Sequence, residues 1–131
     1  MEKVKLQAQY GLYINGQWRD ASDGATYNAE SPADGSHLAV CAQGTREDVE
    51  AASAAAWEAF KTWKKTTPAQ RAALLNKIAD IIDANKEHLA MVESMDNGKP
   101  IRETMNVDIP MAAEHFRYFA GCILAEEGQA S

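Results

Sequence analysis

Between residues 12 and 18 the chain reads LYINGQW, with Leu12, Ile14 and Trp18 alternating with more polar neighbours around Asn15-Gly16. Alternation places successive side chains on opposite faces of a strand, and Asn-Gly tolerates the positive φ values of a two-residue hairpin turn. A small antiparallel unit is predicted here. Residues 22–36, SDGATYNAESPADGS, hold the turn clusters Asp23-Gly24 and Pro32-Ala33-Asp34-Gly35 and read as a loop. The apolar run HLAVCA then predicts a strand over 37–42.

After Gly44 the period changes from two to 3.6. Val49, Ala52, Ala56, Phe60 and Trp63 recur at steps of three and four, which predicts a helix over 46–64 with these residues on one face. Thr45 is placed to accept a hydrogen bond from the amide of Asp48, and Glu47 and Asp48 suit the positive helix terminus. Thr67-Pro68-Ala69-Gln70 is a capping-box start for a second helix, whose stripe of Leu74, Leu75, Ile78, Ile81 and Ile82 predicts deep packing. Asn85 is a candidate cap for a third helix bearing Leu89, Val92 and Met95, which Asn97-Gly98 ends and Pro100 prevents from continuing. A short helix at 101–106 follows. Asp108 with Pro110 then opens a last helix carrying Ile109, Ala112, Phe116, Phe119 and Ile123 on one face.

These elements make the chain mostly α-helical with an N-terminal β-hairpin region. There is no internal repeat, low-complexity tract or linker. Helices this one-sided need a layer to cover, so the chain reads as a single incomplete domain over 1–131, with a hairpin or arm region at 1–44 and a helical region at 45–131.

Composition narrows the function classes. A formal charge of -6 over 131 residues argues against nucleic acid or an anionic membrane surface as partner, because neutralising phosphates needs clustered Lys and Arg. Lys61, Lys64 and Lys65 form the only short basic group and read as a solvated helix face. There is no membrane span and no secretory leader pattern. Cys41 and Cys122 stand far apart, which fits a reducing cytoplasm.

The stretch SMDNGKPIRE raises the question of a phosphate loop. Such a loop needs Gly-x-x-x-x-Gly-Lys followed by Ser or Thr, so that amides cradle phosphate while the hydroxyl binds magnesium. Here Pro100 takes the hydroxyl position and lacks an amide, so a helix stop with Lys99 near the negative terminus is the reading. His37, His88 and His115 lack ligand spacing, although Asp108 and His115 share a similar helical face. Cys41 and Cys122 read as small buried hydrophobes, and Trp57, Trp63, Phe116, Tyr118 and Phe119 as core. Glu93, Asp96 and Glu103 read as surface charges.

In order, these blocks resemble the aldehyde dehydrogenase superfamily. LYINGQW is similar to its opening strand, and SPADGSHLAVCAQGTREDVEAASAAAWEAF to its turn, strand and first helix, with Ser31-Pro32 where the family has Asn-Pro. TPAQRAALLNKIADIIDANKEHLAMVESMDNGKPIRE and VDIPMAAEHFRYFAG resemble its next two blocks. The resemblance runs from about residue 12 to 125 and looks nearest to bacterial enzymes of acetaldehyde and other aliphatic aldehydes. It implies an α/β parent fold with a Rossmann-like domain for NAD or NADP, an oligomerisation arm, and a cysteine that forms a thiohemiacetal with the aldehyde. Hydride then passes to the nicotinamide and a glutamate-activated water releases the acid. The segments that carry the family's cysteine, glutamate and glycine-rich cofactor site have no counterpart in these residues. The resemblance therefore implies an amino-terminal portion, inactive and without bound nucleotide on its own. It also matches Ala29 and Asp108 to two ligands of a monovalent-cation site that some relatives possess. A second reading of the same helices is an interaction module that associates with itself, or with another aldehyde dehydrogenase chain, through faces holding Ile78, Ile82, Phe116 and Phe119.

Overall fold

The structure is a computed structural model, and it describes residues 4–125. These divide into two compact units, residues 4–65 with 95–98, and residues 66–94 with 99–125.

In the first unit the predicted hairpin is present as β2 (Leu12–Ile14) and β3 (Gln17–Arg19), paired antiparallel with Tyr13 opposite Trp18. Asn15 and Gly16 take φ of 53° and 77°, the two positive values that a turn matching the strand twist requires. The strand predicted at 37–42 is β5 (His37–Ala42). It is the centre of a second sheet, parallel to β1 (Gln9–Tyr10) on one side and antiparallel to β4 (Thr26–Glu30) on the other. Residues 26–30 are therefore a strand where the sequence reads as loop. Thr26 and Tyr27 are strand formers, but the flanking turn clusters mask a five-residue segment that pairs with β5 across the loop 31–36.

Helix α1 (Arg46–Trp63) starts at Thr45 with both capping-box bonds in place. Its buried side is not the predicted stripe. Asp48 is buried, Ala51 and Ala55 are half-buried, and Val49, Ala52, Ala56, Phe60 and Trp63 are all exposed. Asp48 is only 2% exposed and is held by four donors. Its Oδ1 accepts from Arg19 Nη2 at 2.9 Å, and its Oδ2 accepts from the amides of Ser22 and Thr45 and from the Thr45 hydroxyl, each at 3.0 Å. Since the Thr45 hydroxyl donates there, the Ser22 hydroxyl donates to Thr45 Oγ1 across 2.6 Å. One carboxylate thus fastens β3 and the residue after Ala21 to the start of α1.

In the second unit α2 (Pro68–Ala84) begins with the predicted Thr67–Gln70 capping box. It packs against α5 (Ile109–Leu124). The buried residues of this pair are Ala72 and Ala79 on α2, and Ile109, Ala113 and Ala120 on α5. Deep burial of the large α2 side chains is not found. Leu74 and Ile81 are exposed, and Leu75, Ile78 and Ile82 half-buried, because small residues spaced seven apart bring the helices close and leave the bulk to the flanks. Arg117 of α5 reaches back to Asp80 and Asp83 of α2 at 2.8 and 2.7 Å.

α3 (Lys86–Asn97) follows α2 after one residue. Asn85 closes α2 rather than only opening α3, since its side-chain amide donates to the Ile81 carbonyl at 2.8 Å. The expected separation between a short helix at 101–106 and a last helix opened by Asp108 and Pro110 is absent. α4 (Ile101–Glu103) runs through a π-helical turn at Thr104–Asp108 directly into α5. Pro110 has no amide and would crowd the carbonyl four residues before it, so the wider turn accommodates it without ending the helix. Thr104 is fully buried beneath this turn. Its hydroxyl lies 2.9 Å from the Ala90 carbonyl and 2.8 Å from the Ser94 hydroxyl, tying the turn to α3.

The Asp48 knot sets a pH dependence. Hydrogen bonds from the Thr45 and Ser22 amides are the leading causes that lower its pKa from 3.8 to about 2. A depressed carboxylate stabilises the fold above its unfolded pKa and loses that contribution as pH falls through the folded value. The denaturant midpoint should therefore fall between pH 3.8 and about 2. Asp48→Asn should lower the midpoint at neutral pH and make that acid slope shallower. An unchanged slope in the variant, followed by circular dichroism, would refute the assignment.

Candidate functional site

The Gly-Lys turn is built from the end of α3. Gly98 takes φ of 78°, ending the helix in the left-handed conformation expected of a C-terminal glycine. A Cβ at Gly98 would lie 2.9 Å from Pro32 Cγ, so the loop after β4 leaves room for glycine alone. Lys99 is not simply a charge near the helix dipole. Its ammonium donates to Asp108 Oδ2 at 2.8 Å and lies 3.8 Å from Glu93 Oε1. The bond to Asp108 is the chief cause that raises the Lys99 pKa, holding the ammonium charged. Glu93, read from sequence as a surface charge, is half-buried in this cluster. The spacing of Glu93, Lys99 and Asp108 fits neither three nor four, because Pro100 and the π turn lie between them. Helical periodicity could not have found the cluster.

This arrangement does not fit a dinucleotide. Gly98 terminates a helix rather than starting one, Pro100 offers no amide, and the lysine is held by two carboxylates instead of facing a phosphate.

The two residues matched to a cation site fall in different units. Ala29 lies in β4 opposite Ala39, next to a register shift at Glu30. Asp108 closes the π turn, makes no side-chain cap bond to α5 and gives its carboxylate to Lys99, so the reading of Asp108 as a helix cap is corrected. Among the described residues no three His, Cys, Asp or Glu side chains are grouped to hold a metal. His37, His88 and His115 are all exposed. His115 Nδ1 is bonded to the Met111 carbonyl at 2.8 Å.

Cys41 is half-buried in β5, with Tyr10 and Tyr27 as its register partners on the two neighbouring strands. The Cys41 side chain raises the Tyr27 pKa, by electrostatic repulsion first and by a hydrogen bond second. Cys122 is exposed, against the expectation of a buried thiol, and its hydrogen bond raises the Tyr118 pKa. The aromatic residues expected in the core are largely outside it. Trp57 is 70% and Tyr118 66% exposed, and Trp63 and Phe119 are also exposed, while Phe116 is half-buried. The lysines Lys61, Lys64 and Lys65 form a solvated face as read. Lys61 pairs with Glu58, and Lys64 lies over the Phe60 ring.

The sequence profile of the aldehyde dehydrogenase family matches residues 18–131. The chain belongs to that family. Among its relatives, a long-chain-aldehyde dehydrogenase from Acinetobacter sp is 48% identical over 126 residues, covering 96% of this chain and 25% of the relative. An acetaldehyde dehydrogenase from Pseudomonas aeruginosa is 45% identical over 128 residues, with 98% and 25% covered. Among solved structures, PnpE in complex with nicotinamide adenine dinucleotide matches with a TM-score of 0.89 at 42% identity, covering 92% of this chain and 25% of that one. The NAD+ complex of an aldehyde dehydrogenase from Bacillus cereus matches with a TM-score of 0.88 at 38% identity, with the same shares covered. This aldehyde dehydrogenase chain spans about a quarter of the length of these relatives, and its fold is that of the corresponding part of an α/β enzyme. No helix among the described residues is long and apolar enough to cross a membrane.

The Gly98 contact gives a direct test. Gly98→Ala combines a strained positive φ with the clash against Pro32, and should destabilise the chain by about 1–3 kcal/mol. Thermal unfolding should show a clear drop in midpoint, whereas Gly121→Ala, where an added Cβ meets nothing within 4 Å, should not.

Proposed function

We propose that this chain is the amino-terminal scaffold of a cytoplasmic enzyme that oxidises an aldehyde to a carboxylic acid with NAD or NADP. In this reading residues 1–44 are the arm region and residues 45–131 open the cofactor-binding domain. The chain's own contribution is structural: the Asp48 knot, the Gly98 stop and the α2–α5 pair shape a frame, and the reacting groups belong to polypeptide outside the matched quarter. The observation that carries this is the match of residues 18–131 to the family, together with relatives of which the chain covers only a quarter. The names of the Acinetobacter and Pseudomonas relatives favour aliphatic aldehydes as substrate. Two unpaired cysteines far apart in sequence support a reducing compartment.

The purified 131-residue chain should show no nicotinamide reduction with acetaldehyde and NAD, and turnover by it would overturn the scaffold role. A chimera carrying this chain in place of the first quarter of the Acinetobacter enzyme should oxidise aldehydes. A folded chimera without that activity would count against the enzyme reading.

A further inference from the structure

Four side chains precede a glycine in a way that allows ring closure onto its amide: Asn15-Gly16, Asn97-Gly98, Asp23-Gly24 and Asp34-Gly35. In that reaction the glycine nitrogen attacks the side-chain carbonyl carbon of the residue before it. Glycine favours the attack because it has no Cβ to crowd the ring. Asparagine releases ammonia as the ring closes, whereas an ionised carboxylate resists attack.

The fold treats the four differently. Asp23 and Asp34 are held by their own turns, since Asp23 Oδ1 accepts from the Ala25 amide at 2.9 Å and Asp34 Oδ1 from the Ser36 amide at 3.0 Å. Asn97 ends α3, and Gly98 packs so closely on Pro32 that a Cβ there would lie 2.9 Å from its Cγ. Closing a ring at Asn97 therefore requires unwinding the helix end and moving the loop after β4. Asn15 and Gly16 are exposed at a hairpin tip, and an added Cβ at Gly16 would meet nothing within 4 Å. The pairing of β2 with β3 stops at Ile14 and Gln17, so the Gly16 amide lies outside the ladder. Among the described residues the Asn15 side chain makes no hydrogen bond.

Neither a left-handed turn nor a helix aligns the side-chain carbonyl carbon with the next amide, so closure proceeds through local opening. At the tip of a two-stranded hairpin that opening costs little. We propose that Asn15-Gly16 is a deamidation site, the one pair of the four at which the folded chain leaves ring closure free to occur. The Gly16 nitrogen bonds to Asn15 Cγ, the bond from Cγ to the side-chain nitrogen breaks, and that nitrogen leaves as ammonia with the proton of the Gly16 amide. Water then opens the succinimide at either carbonyl, leaving aspartate or isoaspartate at position 15. Isoaspartate routes the backbone through the side-chain methylene and adds one atom to a turn whose two-residue length sets the strand register. Tyr13 and Trp18, whose ring centroids are 5.1 Å apart, flank that turn, and Arg19, which donates to Asp48, follows. The modification thus loosens β3 where it is tied to α1.

The 131-residue chain, incubated in mildly alkaline buffer and digested, can be followed by mass spectrometry with electron-transfer fragmentation, which separates isoaspartate from aspartate. In the folded chain Asn15 should convert at least about tenfold faster than Asn97, and in urea, where both lie in open chain, the two rates should converge. Equal rates in the folded chain, or the same ratio in urea as in buffer, would overturn the proposal. Chain carrying isoaspartate should melt below fresh chain, whereas Asn15→Asp, which adds the charge without lengthening the backbone, should melt near it. An equal drop in the two would overturn the register effect.

Discussion

The second unit depends on how closely α2 and α5 approach. Ala72 and Ala79 on one helix, and Ala113 and Ala120 on the other, are spaced seven residues apart and are almost fully buried. Small side chains at such positions let two backbones come near each other, so dispersion contacts are made by main chain as much as by side chain. The price is that little apolar area is removed from water per buried residue, roughly 25 cal/mol for each Å². Larger residues are then pushed to the flanks and the outer faces. Arg117, bridging Asp80 and Asp83 beside this seam, adds exposed ion pairs that each contribute little.

The first unit obeys a related rule with different chemistry. There α1 presents Ala51 and Ala55 inward, and the anchoring is polar, through Asp48. A carboxylate buried at a helix N-terminus is tolerable because four donors and the helix dipole favour its charged form, and that same satisfaction makes it specific. Arg19 and Ser22 come from the hairpin's second strand and the residues after it, so the knot joins local elements through contacts 26 and 29 residues apart.

Local signals were readable in the sequence and contextual ones were not. The Asn15-Gly16 turn, the Thr45 cap, the Thr67 box, the Gly98 stop and the strand at 37–42 are each dictated by residues within a few positions of one another, and all are present. Strand 26–30 needed its partner to be recognised, and the π turn needed the continuity of Thr104 with α3. The face of α1 was misjudged for a physical reason. Periodicity finds where large apolar residues align, not which side is covered by the residues at hand, and here the alanine side is covered while Val49, Phe60 and Trp63 are left outward. For α5 the predicted face was mostly right: Ile109, Ala112, Phe116 and Ile123 are buried or half-buried, while Phe119 is exposed.

The two free cysteines stand in different surroundings, one in a strand and one at a helix end. A nucleophilic cysteine needs a nearby cation, a helix N-terminus or an adjacent base to shift it toward its anion. Cys41 lies mid-strand, facing phenols across both of its register partners, Tyr10 and Tyr27. Cys122 lies in the last turn of α5, one turn after Tyr118, with which it shares a hydrogen bond. The lysine best placed to act as a cation, Lys99, is engaged by Asp108 and Glu93. Among the described residues Arg19, Lys99 and Arg117 each pair with carboxylates of a neighbouring element, so these charges hold elements together.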